Sequence, residues 1–264
     1  MMNKKQIEEM TCSRDFVATA VIPPGNTGAV GTIDGGFRLL EAGGRDDLFE
    51  LLKKELPKAE VMQRKEGVPL EKGTFDYITV VGLKYLPCSE GTDRLFRELI
   101  ALLKPGGVIS AHVCGFSGYY GAVMLGDIIR RLSRGRKTDA TIKIARALIR
   151  ELPETHPAFL CEIINPHDET AVKELLALSE AIDHVDKLFT VSKLMEAIPR
   201  WGGRFLRWVF PPIYDPTSRF ESWFESNERG VIQVLNTLPE PRRSIAAELL
   251  TASPSEHYFL VQKF

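Results

Sequence analysis

Runs of hydrophobic residues alternate along this chain between continuous apolar stretches and stretches with helical spacing. Tyr77–Val81 is a short apolar run, Thr92–Leu103 has apolar residues on one helical face, and Val108–Val113 is apolar again. The pattern predicts a buried strand, an amphipathic helix and a second buried strand, which together make one βαβ unit of a parallel sheet. Lys104-Pro105-Gly106-Gly107 supplies the tight turn between helix and strand. Proline stops the helix, and glycine allows the positive φ the turn requires.

The same reading extends outward from this unit. Asn3–Met10 predicts a short helix and Arg14–Ile22 a strand, stopped by Pro23-Pro24-Gly25. Phe37–Glu41 predicts a short strand. Asp46–Leu56 predicts a helix, with Leu48, Leu51, Leu52 and Leu56 on one face and acids at its start, ended by Pro57. Ala59–Gln63 is the next predicted strand, and Val68–Thr74 a polar turn. After Gly121 the spacing becomes helical over Val123–Leu132, Asp139–Leu152, Asp168–Ala181 and Val191–Ile198, with Thr190 or Ser192 placed to start the last. Gly202-Gly203 then leads into a strand at Arg204–Phe210. Phe220–Thr237 and Arg242–Leu250 read as helices, and His257–Phe264 as a terminal strand whose direction periodicity leaves open. Strands alternating with helices predict an α/β fold, a Rossmann-like, mostly parallel sheet covered on both faces. The expectation is a single domain over 1–264, with a largely helical insertion or cap over 121–200, after the central strands.

Composition narrows the function classes. The chain has 264 residues, 44% hydrophobic and 26% charged, an ordinary globular balance. A formal net charge of −1 gives no overall pull toward nucleic acid or anionic membrane. No apolar run reaches the ~20 residues of a membrane span, and the charged start MMNKKQIEEM lacks a signal peptide's apolar region, so the cytoplasm is expected. Cys12, Cys88, Cys114 and Cys161 are widely separated, and the five histidines make no HxxxH or HExxH pattern, which argues against a metal site or disulfide framework. There is no nucleophile elbow or P-loop. His112 reads as a core residue, and Trp201, Trp208 and Trp223 as core or interface anchors. Arg130, Arg131, Arg134 and Arg136 read as a solvated basic turn. Tyr119 and Tyr120 either wall a pocket at the sheet edge or pack.

The FDYITV strand, the Leu- and Arg-rich helix and LLKPGG together resemble the second half of a class I, Rossmann-like S-adenosylmethionine-dependent methyltransferase. The resemblance continues in Gly118–Val123, in Ala145–Pro157 (ARALIRELPETHP), in Asp186–Glu196 (DKLFTVSKLME) and in Phe210–Pro216 (FPPIYDP). These segments are similar to those of a bacterial subgroup with a helical insertion. The family carries a strand ending in an acid, then a glycine loop that lets the backbone approach the cofactor at a helix N-terminus. Two places here are partial matches. One is Leu39–Gly44, with Glu41, Gly43 and Gly44. The other is Val21–Gly28, with Gly25 and Gly28, followed by Asp34 as a ribose-binding acid. About one α/β unit is missing or remodelled before Phe75. The resemblance further implies an adenine-side acid at Glu66. Gly82, Leu83, Lys84 and Tyr85 follow a strand end, where open α/β sheets bind ligands, with Lys84 and Tyr85 toward the substrate.

The implied function is methyl transfer from S-adenosylmethionine to a small molecule or protein, with the insertion roofing the substrate. The alternative is a pseudoenzyme, a methyltransferase-like binding or scaffold protein that has lost the cofactor. A homodimer or a scaffold partner is compatible with either.

Overall fold

In the computed structural model, the residues described are 36–65, 67–80, 89–135, 138–153, 155–160, 170, 172–173, 175–177, 188–209, 214, 233–235, 237–251 and 256–264. The expected helix at Asn3–Met10 and strand at Arg14–Ile22 lie outside them, as does most of Phe220–Thr237.

The described strands are β1 (Arg38–Glu41), β2 (Glu60–Gln63), β3 (Phe75–Val80), β4 (Leu103–Cys114), β5 (Gly203–Trp208) and β6 (Glu256–Lys263). The helices are α1 (Asp46–Glu55), α2 (Ser89–Leu102), α3 (Phe116–Leu132), α4 (Thr138–Glu151), α5 (Val191–Trp201) and α6 (Arg242–Thr251), with a 3-10 turn at Pro157–Leu160. The strands form one sheet in the order β2-β1-β3-β4-β6-β5. β1 to β4 are mutually parallel, and β6 runs antiparallel between β4 and β5. The terminal strand is therefore inserted into the sheet beside β4.

Period-two alternation sorts the strand side chains. Leu39, Tyr77 and Leu260 face α1, whose Leu48 and Leu52 are buried against them. Leu40, Ile78, Ile109 and Phe259 face the opposite way, onto Phe96 and Leu99 of α2 and Leu194, Ile198 and Trp201 of α5. Both faces of the central strands are apolar because both are covered. The Trp201 ring stacks on Phe96 at 4.3 Å, and its Nε1 donates to Asp93 at 2.6 Å.

The Pro-Gly-Gly turn is a bulge within the β3–β4 pairing. Phe75 pairs with Leu103, but Tyr77 pairs with Val108. Gly106 takes φ +77°, and Gly107 lies so close to the carbonyls of Lys104 and Asp76 that a Cβ would crowd both. Asp76 pins this corner: its carboxylate accepts from the backbone N–H of Arg38 and from Lys104 Nζ, each at 2.8 Å.

Helix α3 begins at Phe116, earlier than the spacing after Gly121 predicts. Gly121 explains how so glycine-rich a stretch holds as a helix. A Cβ there would fall inside the backbone of Pro157 and Ala158, so its absence allows α3 and the 3-10 turn to touch. Tyr119, Ala122, Leu125 and Ile129 of α3, Ala145 and Ile149 of α4, and Val172 and Leu175 form a core separate from those of the sheet. The chain departs the sheet at Cys114 and rejoins it at Phe189. There Phe116 N–H donates to Phe189 O at 2.7 Å, and Phe189 N–H donates to Cys114 O at 3.0 Å. Thr190 starts α5 as anticipated, its hydroxyl accepting from Lys193 N–H at 3.1 Å. Among the described residues, no helix is long and apolar enough to cross a membrane, and no cluster of His, Cys, Asp and Glu is arranged to hold a metal ion.

Candidate functional site

The strand order reverses its sense of growth at β1. The chain steps from β1 to β2 on one side and then to β3 on the other. In open α/β sheets such a switch point opens a crevice at the carboxyl ends of the strands. Glu41 ends β1 at this point and is fully buried. Its Oε1 accepts from Gly43 N–H at 2.7 Å, which folds the side chain back over the turn into α1. Gly44 follows at φ +74°, a left-handed conformation suited to glycine.

Neighbouring strands hold this acid in place. Ala42 N–H donates to Thr79 O, and Arg64 N–H to Glu41 O, both at 2.8 Å. Burial pushes the Glu41 carboxyl up from its ordinary value of 4.5, opposed by the N–H groups of Gly43, Arg45 and Gly44 and by the Gln63 amide. At this strand end two buried oxygens lack a hydrogen-bond partner among the described residues: Glu41 Oε2 and the hydroxyl of Thr79, its register partner on β3. Buried polar atoms in proteins are nearly always satisfied, so a pair of open acceptors at one strand end fits a ligand carrying hydroxyl or ammonium donors.

Gln63 is a site residue that the sequence reading missed. It pairs in register with Glu41, and its Nε2 donates to Asp46 Oδ1 at 2.9 Å. It lies about 20 residues beyond the glycine turn, where dinucleotide-binding folds place a ribose-binding acid. The spacing was available, but an amide is not the expected residue type. Helix α1 has Arg45 as its N-cap, with no side-chain cap hydrogen bond. The Arg45 guanidinium itself pairs with Asp47.

Of the anticipated site residues, the structure brings Glu41, Gly43 and Gly44 together at the switch point. Gly25, Gly28, Asp34, Glu66, Gly82, Leu83, Lys84 and Tyr85 lie outside the described residues. Tyr119 is buried in the core of the helical insertion, and Tyr120 is half-buried with its ring 5.0 Å from Phe116. His112 is buried, stacked on Tyr258 at 4.4 Å. His156 Nδ1 accepts from Ala158 N–H at 3.1 Å and so shapes the turn that meets Gly121.

A second buried polar cluster lies where β6 begins. His257 is fully buried, with Nδ1 2.8 Å from the Tyr214 hydroxyl, and Nε2 3.0 Å from Phe189 O and 3.5 Å from Glu248. Glu248 also accepts from Val191 N–H at 2.8 Å. The Phe189 carbonyl accepts from Nε2, which leaves Nδ1 to accept from the Tyr214 hydroxyl. Burial and the Glu248 charge push the Tyr214 hydroxyl well above its ordinary range.

No protein-family model matches the chain. Solved structures do. PKMT2 from Rickettsia typhi aligns over 95% of this chain and 52% of its own, with TM-score 0.52 and 14% identity. The same protein in complex with AdoHcy aligns over 93% and 51%, with TM-score 0.53 and 13% identity. The chain thus spans about half the length of these structures. The fold is that of the class I, S-adenosylmethionine-dependent methyltransferases.

Proposed function

We propose that this chain is an S-adenosylmethionine-dependent methyltransferase whose cofactor binds at the carboxyl ends of β1 and β3. The observation that carries the reading is Glu41, turned back onto Gly43 N–H with its second oxygen open beside the Thr79 hydroxyl. The AdoHcy-bound neighbour of the same fold supports it. When bound, the cofactor supplies a methyl group already activated by its sulfonium, so alignment does most of the work and little acid–base chemistry is required. Glu41 and Thr79 accept hydrogen bonds from the ligand. Gly43 and Gly44 keep the turn free of side chains. Gln63 and the Asp46 carboxylate together present a donor and acceptors to a sugar-like diol, replacing a single acid. The acceptor is a small molecule or a protein.

One observation favours a second reading, a scaffold without cofactor. The turn from β1 to α1 holds only Gly43-Gly44, and Gln63 stands where an acid is expected. Calorimetric titration with S-adenosylhomocysteine and S-adenosylmethionine separates the two. Micromolar binding that Gly43→Val abolishes, with the melting temperature retained, supports the enzyme. No binding at millimolar ligand to the folded protein sinks it and leaves the scaffold.

A further inference from the structure

We propose that the outer flank of α2 is a docking site for an acidic amphipathic helix of another polypeptide. The feature that suggests it is a groove between α2 and the connection from β2 to β3. One hollow, of about 410 Å3, is lined by Leu70, Leu99 and Leu102, with Val68 54% exposed at its wall. A second, of about 640 Å3, joins it through Lys72, Arg97 and Ala101 and reaches Pro199 and Gly202 at the amino edge of the parallel strands.

The groove follows from the layering of the sheet. On the face that α2 and α5 cover over β3 and β4, Leu40 of β1 and Met62 of β2 join the same core with Leu70 of the loop packed against it. Among the described residues, a loop covers this end of the sheet while α2 and α5 cover β3 and β4, and α2 has an apolar flank toward that loop.

Charge identifies the occupant. Arg64, Lys72, Arg97, Arg200 and Lys263 line the two hollows, against one carboxylate among the described residues, Glu98. Glu98 is shared, 3.9 Å from Arg64 and 3.9 Å from Arg94. Lys263 is engaged with the carbonyls of Ala101 and Leu103. Arg200 stands 3.9 Å from Asp93, which already accepts from Trp201. Arg97 donates to a backbone carbonyl, that of Asp93. Neither Lys72 nor Arg97 meets a carboxylate among the described residues. This is a cationic rim on a chain of net charge −1, so the excess is local.

An apolar floor between cationic rims selects a helix with leucine-like residues on one face and acids beside them. Nucleic acid suits the groove less well. Strand binding without pairing depends on exposed aromatic faces, and among the described residues the one aromatic in the lining, Trp201, is 2% exposed.

The test uses the full chain and a fluorescein-labelled synthetic leucine–glutamate amphipathic peptide, read by anisotropy. The controls are the same peptide with lysine for glutamate, and a single-stranded oligonucleotide. The expected result is saturable, salt-sensitive binding of the acidic peptide only, weakened about tenfold or more by combined Lys72→Glu and Arg97→Glu. The doubly reversed protein should instead accept the lysine peptide, which shows that it remains folded and competent. Val68→Asp, which leaves the cations in place, should weaken both pairings. Any of four results overturns the proposal: no binding to the folded wild type, binding indifferent to the charge reversals, preferential binding of the oligonucleotide, or self-association in sedimentation that the reversals abolish.

Discussion

The hydroxyl of Tyr214 and Nδ1 of His257 lie 2.8 Å apart in a cluster closed to solvent, with Glu248 on the far side of the imidazole. Tyr214→Phe leaves His257 Nδ1 buried without its donor, at a cost of about 1–3 kcal/mol. Urea unfolding at neutral pH checks the loss.

The same tyrosine sets part of the alkaline limit of stability. Its folded pKa is raised, so the stability it contributes is fully present below about pH 10 and is lost as pH rises through the folded value. Tyr77 is displaced in the same direction, chiefly by burial. Each of Tyr214→Phe and Tyr77→Phe should therefore flatten the fall in stability above pH 10, and the double variant should flatten it further. Unfolding curves across that range test this. Slopes equal to wild type would remove the linkage.

Glu41 is shifted in the same direction as the two tyrosines, but at a group proposed to bind ligand. Its carboxyl is raised by burial, so the protonated form is favoured by folding, and ionisation above about pH 4.5 costs stability. Glu41→Gln should keep the bond from Gly43 N–H, raise the neutral-pH melting temperature and weaken S-adenosylhomocysteine binding by about tenfold or more. Thermal melting and calorimetry on one preparation give both numbers. Improved stability with unchanged binding would remove Glu41 from the site.

Gly121→Ala should cost about 1–3 kcal/mol by forcing α3 away from Pro157 and Ala158. Amide exchange should show protection lost in α3 and α4 before β3 and β4, because the helices have their own core.

Asp76→Ala removes the acceptor for Arg38 N–H and the partner of Lys104 at once. A loss of about 1–3 kcal/mol is expected, larger than the loss from Lys104→Ala, because a part-buried backbone N–H fixed in a strand is harder to re-satisfy than a half-exposed ammonium. Chemical denaturation of the two variants ranks them.

The sequence made much of the sheet readable because its strands are apolar runs and its helices have one apolar face. β1, α1, β3, α2 and the start of α5 follow from Leu39-Leu40, the Leu48–Leu56 face, FDYITV and Thr190. The direction of β6 was not legible. Alternation in His257–Phe264 sorts side chains between faces but is the same in either direction, and insertion beside β4 is decided by pairing with distant residues. The start of α3 was hidden because Gly118 and Gly121 argue against a helix locally, while a tertiary contact at Gly121 argues for one. At the site, Glu41 was visible as an acid before glycines. Gln63 and Thr79 were not, since only strand register brings them beside it. The cluster of Tyr214, Glu248 and His257 likewise joins three separated segments.

The departure and return of the chain at Cys114 and Phe189 have an engineering consequence. The two crossings are bonded to each other, so the segment between them hangs from the sheet by a stem two strands wide. Because Gly115 and Phe189 pair in parallel, whatever replaces it must be a crossover of about a dozen residues or more, with an apolar face to cover Leu188. A different helical crossover grafted at the same stem meets that requirement. The fold thus carries a cassette position, at which what lies above the strand ends can be exchanged while the sheet beneath is inherited unchanged.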